Sequence, residues 1–249
     1  MPALDSLAAF AQAVADFPVS DAGLVLEPAA RAAVERSVAE SGFLLLGEVH
    51  GVRENPLLIR ALLQALGLTG LALEWPAELA PVVRAFLAGG ELADHPLLWS
   101  GDGRITAGHL AVLRERAAAG PLELTLMDGA LPGGVGSADW SWSRRDEAMA
   151  IRLLAAAAGP GTLVVAGNAH TPVHPTDLGV PLGTVLARQR PGVREIRIDY
   201  RSGRYYNLAP RQFAPRTGSR QLSPRLVLRN ENLTLELPSA TEALVPQRP

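Results

Sequence analysis

The 249-residue chain has no cysteine and no lysine. Without cysteine there is no disulfide, no thiol nucleophile and no thiolate metal site. Without lysine there is no Schiff-base amine and no phosphate-loop lysine; all 23 basic residues are arginine. No apolar run reaches the roughly 18–20 residues that a membrane helix needs. The first residues, MPALDSLAAFAQAVADF, carry Asp5 and no positive charge, unlike the cationic start of a signal peptide. The expectation is a soluble, cytoplasmic protein with no membrane partner. Aromatic residues make up only 5%, and the arginine-rich end lacks an aromatic stacking pattern, so nucleic acid is not expected as a partner.

The residues present are those of a folded protein. A 48% hydrophobic content with 19% charge excludes a disordered chain. The length suits a single domain over residues 1–249, with a core large enough to enclose a site. The net charge of -2 hides an asymmetry: residues 1–187 hold 11 arginines against 20 acids, residues 188–249 hold 12 against 5. Pairing of the basic end with the acidic body is the expected outcome. Arginine-only basic usage and the Ala, Gly and Pro richness point to a GC-rich coding source.

Apolar runs and helical periodicity alternate along the chain. Helices are expected at 4–17, 28–40, 55–66, 77–88, 106–119, 143–158 and 181–190. Strands are expected at 43–46, 70–74, 122–127, 162–166 and 193–199. Pro28 and Gly42 bracket the second helix. Asn55-Pro56 reads as a cap followed by the first helical residue. Residues 129–142 form a Gly-rich loop. This order implies an α/β fold with a mainly parallel central sheet flanked by helices. A core over 43–199 is followed by a short C-terminal β extension over 200–240. That extension holds strands at 204–208, 225–229 and 233–237, with Asn230-Glu231-Asn232 as a hairpin turn.

In a parallel sheet, ligands bind beyond the carboxyl ends of the strands. Four strand ends here read Gly47-Glu48-Val49-His50-Gly51, Glu74-Trp75, Asp128 and Gly167-Asn168-Ala169-His170. Buried acids are costly without partners, so their shared rim points to a site. An imidazole three residues after a strand-ending glycine suits a general base, or a metal ligand held by a carboxylate.

Four segments, LLLGEVHGVRENP, LALEWP, RRDEAMA and LVVAGNAHT, occur in the order found in the erythromycin-esterase-like superfamily, which the chain resembles from about residue 43 to 171. That superfamily includes erythromycin esterases, compact haem-binding uptake proteins and Tiki-type metal-dependent proteases. The resemblance implies site roles for Glu48, His50, Glu54, Glu74, Arg144, Asp146, Asn168 and His170. It implies water activation by the first histidine in the esterases, and a divalent-metal site of His50, His170, Glu48 and Glu74 in the Tiki type. The chain lacks the esterases' helical additions, residues 92–104 being its one irregular insertion. Its three tyrosines, Tyr200, Tyr205 and Tyr206, all lie late, and none matches a haem ligand.

Structural readings stand beside these. Ser143 to Asp146 fits a capping box. Glu74 fits an ion pair with Arg144 or Arg53. Asp128 fits a loop cap, and His95, His109 and His174 fit bystander positions. Trp140 and Trp142 fit either a pocket wall or the lead-in to a helix. The expectation is a hydrolase that cleaves an ester, lactone or amide in a small molecule. His50, Glu48, Glu74, His170 and Arg144 would be catalytic, with Arg53, Glu54, Asp128, Asp146, Asn168 and Trp142 binding substrate. The alternatives are a zinc, manganese or cobalt hydrolase using the same residues, and a binding protein for haem or another ligand.

Overall fold

The computed structural model describes residues 5–129, 141–156, 161–215 and 223–247. In chain order its elements are α1 Leu7–Ala15, β1 Val25–Leu26, α2 Pro28–Ser41, β2 Phe43–Glu48, α3 Asn55–Ala65, β3 Gly70–Pro76, α4 Ala80–Leu87, α5 Ala107–Ala119, β4 Glu123–Asp128, α6 Trp142–Ala156, β5 Thr162–Gly167, α7 Leu182–Gln189, β6 Arg194–Tyr200, β7 Arg204–Tyr206, β8 Pro210–Gln212, β9 Arg225–Arg229 and β10 Asn232–Leu237. Short 3-10 turns at Ala77–Leu79 and Pro96–Trp99 precede α4 and α5. Most of the Gly-rich loop, with Trp140, lies outside the described residues, as do residues 4, 157 and 158 of the expected helices.

Eight strands form one sheet in the order β1-β9-β10-β6-β2-β5-β3-β4. Every neighbouring pair is parallel except β9–β10. The α/β class with a mainly parallel sheet is therefore as the sequence implied. β2 and β5 are buried along their whole length, which is why they read as unbroken apolar runs. Leu44 and Leu46 of β2 join the larger core with Leu58, Leu62 and Leu110 of α3 and α5. Phe43 and Leu45 face the other way, onto Met149, Leu153, Leu182 and Leu186 of α6 and α7.

The C-terminal extension has two parts. β9 and β10 widen the sheet beside β6, while β7 and β8 form a separate antiparallel ribbon. The β9–β10 turn places Asn230 at φ 49° and Glu231 at φ 67°, two successive left-handed residues, as a tight two-residue hairpin turn demands. Among the described residues the arginines here pair mostly within their own segment: Arg201 and Arg229 both reach Glu236, and Arg204 reaches Glu242. Among the described arginines of the extension, Arg225 reaches the acidic body, at Glu27. Among the described residues the expected pairing of basic end with acidic body is thus only partly met.

Two helix starts differ from expectation. Asn55 is not a cap: Glu54 before it is already helical, at φ -77° and ψ -23°, and the Asn55 side chain turns into the core. α6 begins at Trp142, with Ser141 Oγ accepting from the Arg144 N–H at 3.2 Å. Asp146 therefore lies past the first turn and caps nothing. Among the described residues no helix is long and apolar enough to cross a membrane.

Candidate functional site

The strand order sets the carboxyl ends of β2, β5, β3 and β4 side by side. Glu48 pairs with Gly167 in register, and the β3–β4 register shifts between Leu73 and Pro76. Such an irregularity re-aims side chains at a sheet end. Here it sends Glu74 across β5, where its Oε2 accepts the Gly167 N–H at 2.8 Å.

Two carboxylate–histidine pairs flank Glu74. His50 Nδ1 donates to Glu48 Oε1 at 3.1 Å, and His50 Nε2 stands 3.8 Å from Glu74 Oε2. His170 Nδ1 donates to Asp146 Oδ1 at 2.6 Å, and its Nε2 accepts from Arg145 Nη1 at 3.0 Å. Arg145 also grips Asp128 through Nε at 3.1 Å and Nη2 at 2.7 Å, and Nη2 reaches Glu74 Oε1 at 2.5 Å. Arg104 closes the far side, on Asp128 at 2.6 Å and Asp102 at 2.8 Å.

Glu48, Glu74, Asp128, Asp146 and His170 are all buried. Burial alone would raise the pKa of Glu74, but His170, His50, Arg145 and Arg104 overturn it and hold the carboxyl far below its ordinary value. Asp128 is likewise lowered: its burial is outweighed by Arg145 and Arg104. For Asp146 burial wins over the His170 bond, and the pKa rises. Burial would lower His50, but the Glu48 hydrogen bond and the Glu74 charge carry it above 6.5.

A small cavity touches His50, Glu48, Glu74, Trp75, Arg104 and His109, leaving about 10 Å³ for the centre of a water molecule. Glu48 Oε2 is buried and receives no hydrogen bond from the described residues. His109, read as a bystander, is thus a wall of the site. Its Nδ1 is tied to Thr106 Oγ1 at 2.9 Å, and burial lowers its pKa.

The rim expected from the sequence is therefore assembled in most of its members. Asn168 is anchored through its N–H on Glu48 O at 2.9 Å, and the Trp142 ring lies 5.4 Å from His170. Three residues stand apart. Arg144 is exposed on the outer face of α6, and Arg145 occupies the place expected for it. Arg53 lies over the Phe17 ring, and Glu54 accepts the Thr241 N–H at 2.8 Å. Arg145 was legible in principle, since buried Met149 and Leu153 follow it at four-residue spacing. Arg104 sits in an irregular Asp-Gly-Arg stretch with no such signal.

Among the described residues no three His, Asp or Glu side chains converge to hold a metal ion. The Arg145 guanidinium stands between Glu74 and His170, where such an ion would need their lone pairs. The donor set as arranged does not fit the divalent-metal expectation.

Fold and site together define an α/β protein with a two-histidine, carboxylate–arginine cluster at the carboxyl edge of its sheet. No protein-family model, curated protein or solved structure matches the chain.

Proposed function

We propose that the chain is a hydrolase in which His50 activates water against an ester, lactone or amide. One observation carries this reading. Glu48 holds the Nδ1–H of His50, leaving the Nε2 lone pair facing Glu74 at 3.8 Å, beside a water-sized cavity. In the reaction His50 Nε2 takes one proton as the water oxygen bonds to the carbonyl carbon. The imidazolium then returns that proton to the leaving oxygen or nitrogen as the acyl bond breaks. Glu48 fixes the tautomer and stabilises the imidazolium.

His170 serves differently from His50. Both its nitrogens are committed, to Asp146 and Arg145, so it holds Arg145 rather than offering a proton. Arg145 and Arg104 neutralise the acids below the site. The oxyanion is assigned to the amide of Asn168, a half-buried neutral donor just beyond the end of β5. The resemblance to the erythromycin-esterase-like superfamily supports the same chemistry.

The test is His50→Gln against a panel of small esters, lactones and amides, with and without chelator. Turnover should fall by about 10²–10⁴-fold with the melting temperature nearly unchanged. Undiminished turnover in the variant, or turnover abolished by chelator, would overturn the proposal.

A further inference from the structure

Glu48 and His50 are separated by one residue, Val49, and both peptide planes that join them are pinned by distant side chains. The Val49 N–H donates to Tyr200 Oη at 3.0 Å. The Tyr200 hydroxyl donates to Asn55 Oδ1 at 2.9 Å, and Asn55 Nδ2 donates back to the Val49 carbonyl at 2.9 Å. The ring of hydrogen bonds is closed and its two side chains are buried: Asn55 is 0% and Tyr200 7% exposed. Burial and the Glu48 charge push the Tyr200 phenol well above its ordinary pKa of 10.0, so it keeps the proton it donates.

The ribbon β7–β8 backs this ring. Tyr200 stacks on Phe213 at 4.6 Å and 3°, and Phe213 stacks on Tyr205 at 4.5 Å. The next residue of the turn, Gly51, gives its carbonyl to the N–H groups of Tyr206, at 3.0 Å, and Ala243, at 2.9 Å. Gly51 has φ 72°, a left-handed conformation in which a side chain would meet the Tyr206 backbone.

We propose that Tyr200 and Asn55 are positioning residues that clamp the Val49 peptide and thereby fix the imidazole of His50 against Glu48, with Phe213 seating the clamp. The C-terminal extension is, on this view, a working part of the site. Its value to catalysis rests on the water-activation reading; its effect on His50 does not. A half-buried peptide group deprived of its partner is destabilised, and the turn then samples other conformers. In those conformers the Nδ1–H is no longer held on Glu48, and the imidazole proton redistributes between the two nitrogens.

Tyr200→Phe is the test, because it removes one hydroxyl and keeps the ring stacked. Amide exchange and imidazole ¹⁵N chemical shifts are read by NMR on the full chain. In the parent His50 should be the Nδ1–H tautomer. In the variant the Val49 amide should exchange roughly tenfold faster while the Leu45 and Leu46 amides keep their protection. His50 should become a mixture of tautomers. Phe213→Leu should shift both readouts the same way, less strongly, and serves if Tyr200→Phe folds poorly. An unchanged tautomer with normal Val49 protection, or equal acceleration along all of β2, would overturn the clamp. A shifted tautomer in Tyr200→Phe together with full turnover in His50→Gln would leave the clamp standing and remove His50 as the water-activating base.

Discussion

Arg145 is the most heavily used side chain of the cluster, and replacing it by methionine isolates its contribution. Methionine keeps much of the buried stem and removes the guanidinium. Glu74 Oε1, both oxygens of Asp128 and the His170 Nε2 lone pair would all lose a donor. Glu74 is nearly wholly buried and Asp128 largely so, so water does not readily replace what is lost. Removing one partner of a buried ion pair costs about 3–5 kcal/mol, most of it from the charge left behind. Against a typical stability of about 5–15 kcal/mol, this is a large fraction.

The sign with pH follows from the two carboxylates. Both have folded pKa values lowered below the ordinary range, so their stabilisation is present above the unfolded values and is lost as pH falls through the folded ones. Without the guanidinium the carboxyls titrate at higher pH. The deficit of Arg145→Met should therefore be full near pH 7.5 and shrink towards pH 4. Urea unfolding at both pH values reads it directly. Adding Glu74→Gln to Arg145→Met should recover part of the loss, because the orphaned charge is gone. A loss under about 1 kcal/mol at pH 7.5, or one that grows on acidification, would refute the argument.

Two further outcomes are expected. Turnover should rise with pH along a limb set above 6.5, because the base works only when deprotonated and the carboxylates hold the His50 proton on; Glu48→Gln should move that limb down, and a limb fixed in both proteins would exclude His50 as the titrating base. Gly167→Ala would set a methyl 2.9 Å from His50 Nε2 and 3.5 Å from Glu74 Oε2; it should cut kcat far more than it lowers the melting temperature, and normal kinetics would show that the reaction does not use this space.

Three of the strands that carry the site, β2, β3 and β5, were legible because each is buried on both faces and so is continuously apolar, whereas the edge strand β4 is buried only over its last three residues. Their ends were legible for the opposite reason, since Glu48, Glu74 and Asp128 interrupt those runs where a chain exits the sheet. Two arginines side by side at the start of α6 left the choice between them to helix phase. An exposed Ile151, seven residues after Arg144, blurs that phase. β8 was not legible at all: Pro210–Gln212 is exposed throughout and has no apolar face to declare it. Asn55 illustrates a further limit. Beside Pro56 it has the local chemistry of a cap, but a partner 145 residues away in Tyr200 decides its rotamer.

The place of β2 in the sheet has a consequence for synthesis. Its two hydrogen-bonded neighbours, β5 and β6, are both translated long after it. At about 5–20 residues per second, the ribosome takes on the order of 5–25 s to pass from the end of β2 to the end of β5. Throughout that interval Phe43-Leu44-Leu45-Leu46 has neither edge paired, the state in which a nascent strand is most open to chaperone capture or misassociation. The same delay keeps Glu48 and His50 apart from His170 until residue 170 has emerged, so a product truncated before that point lacks the assembled cluster.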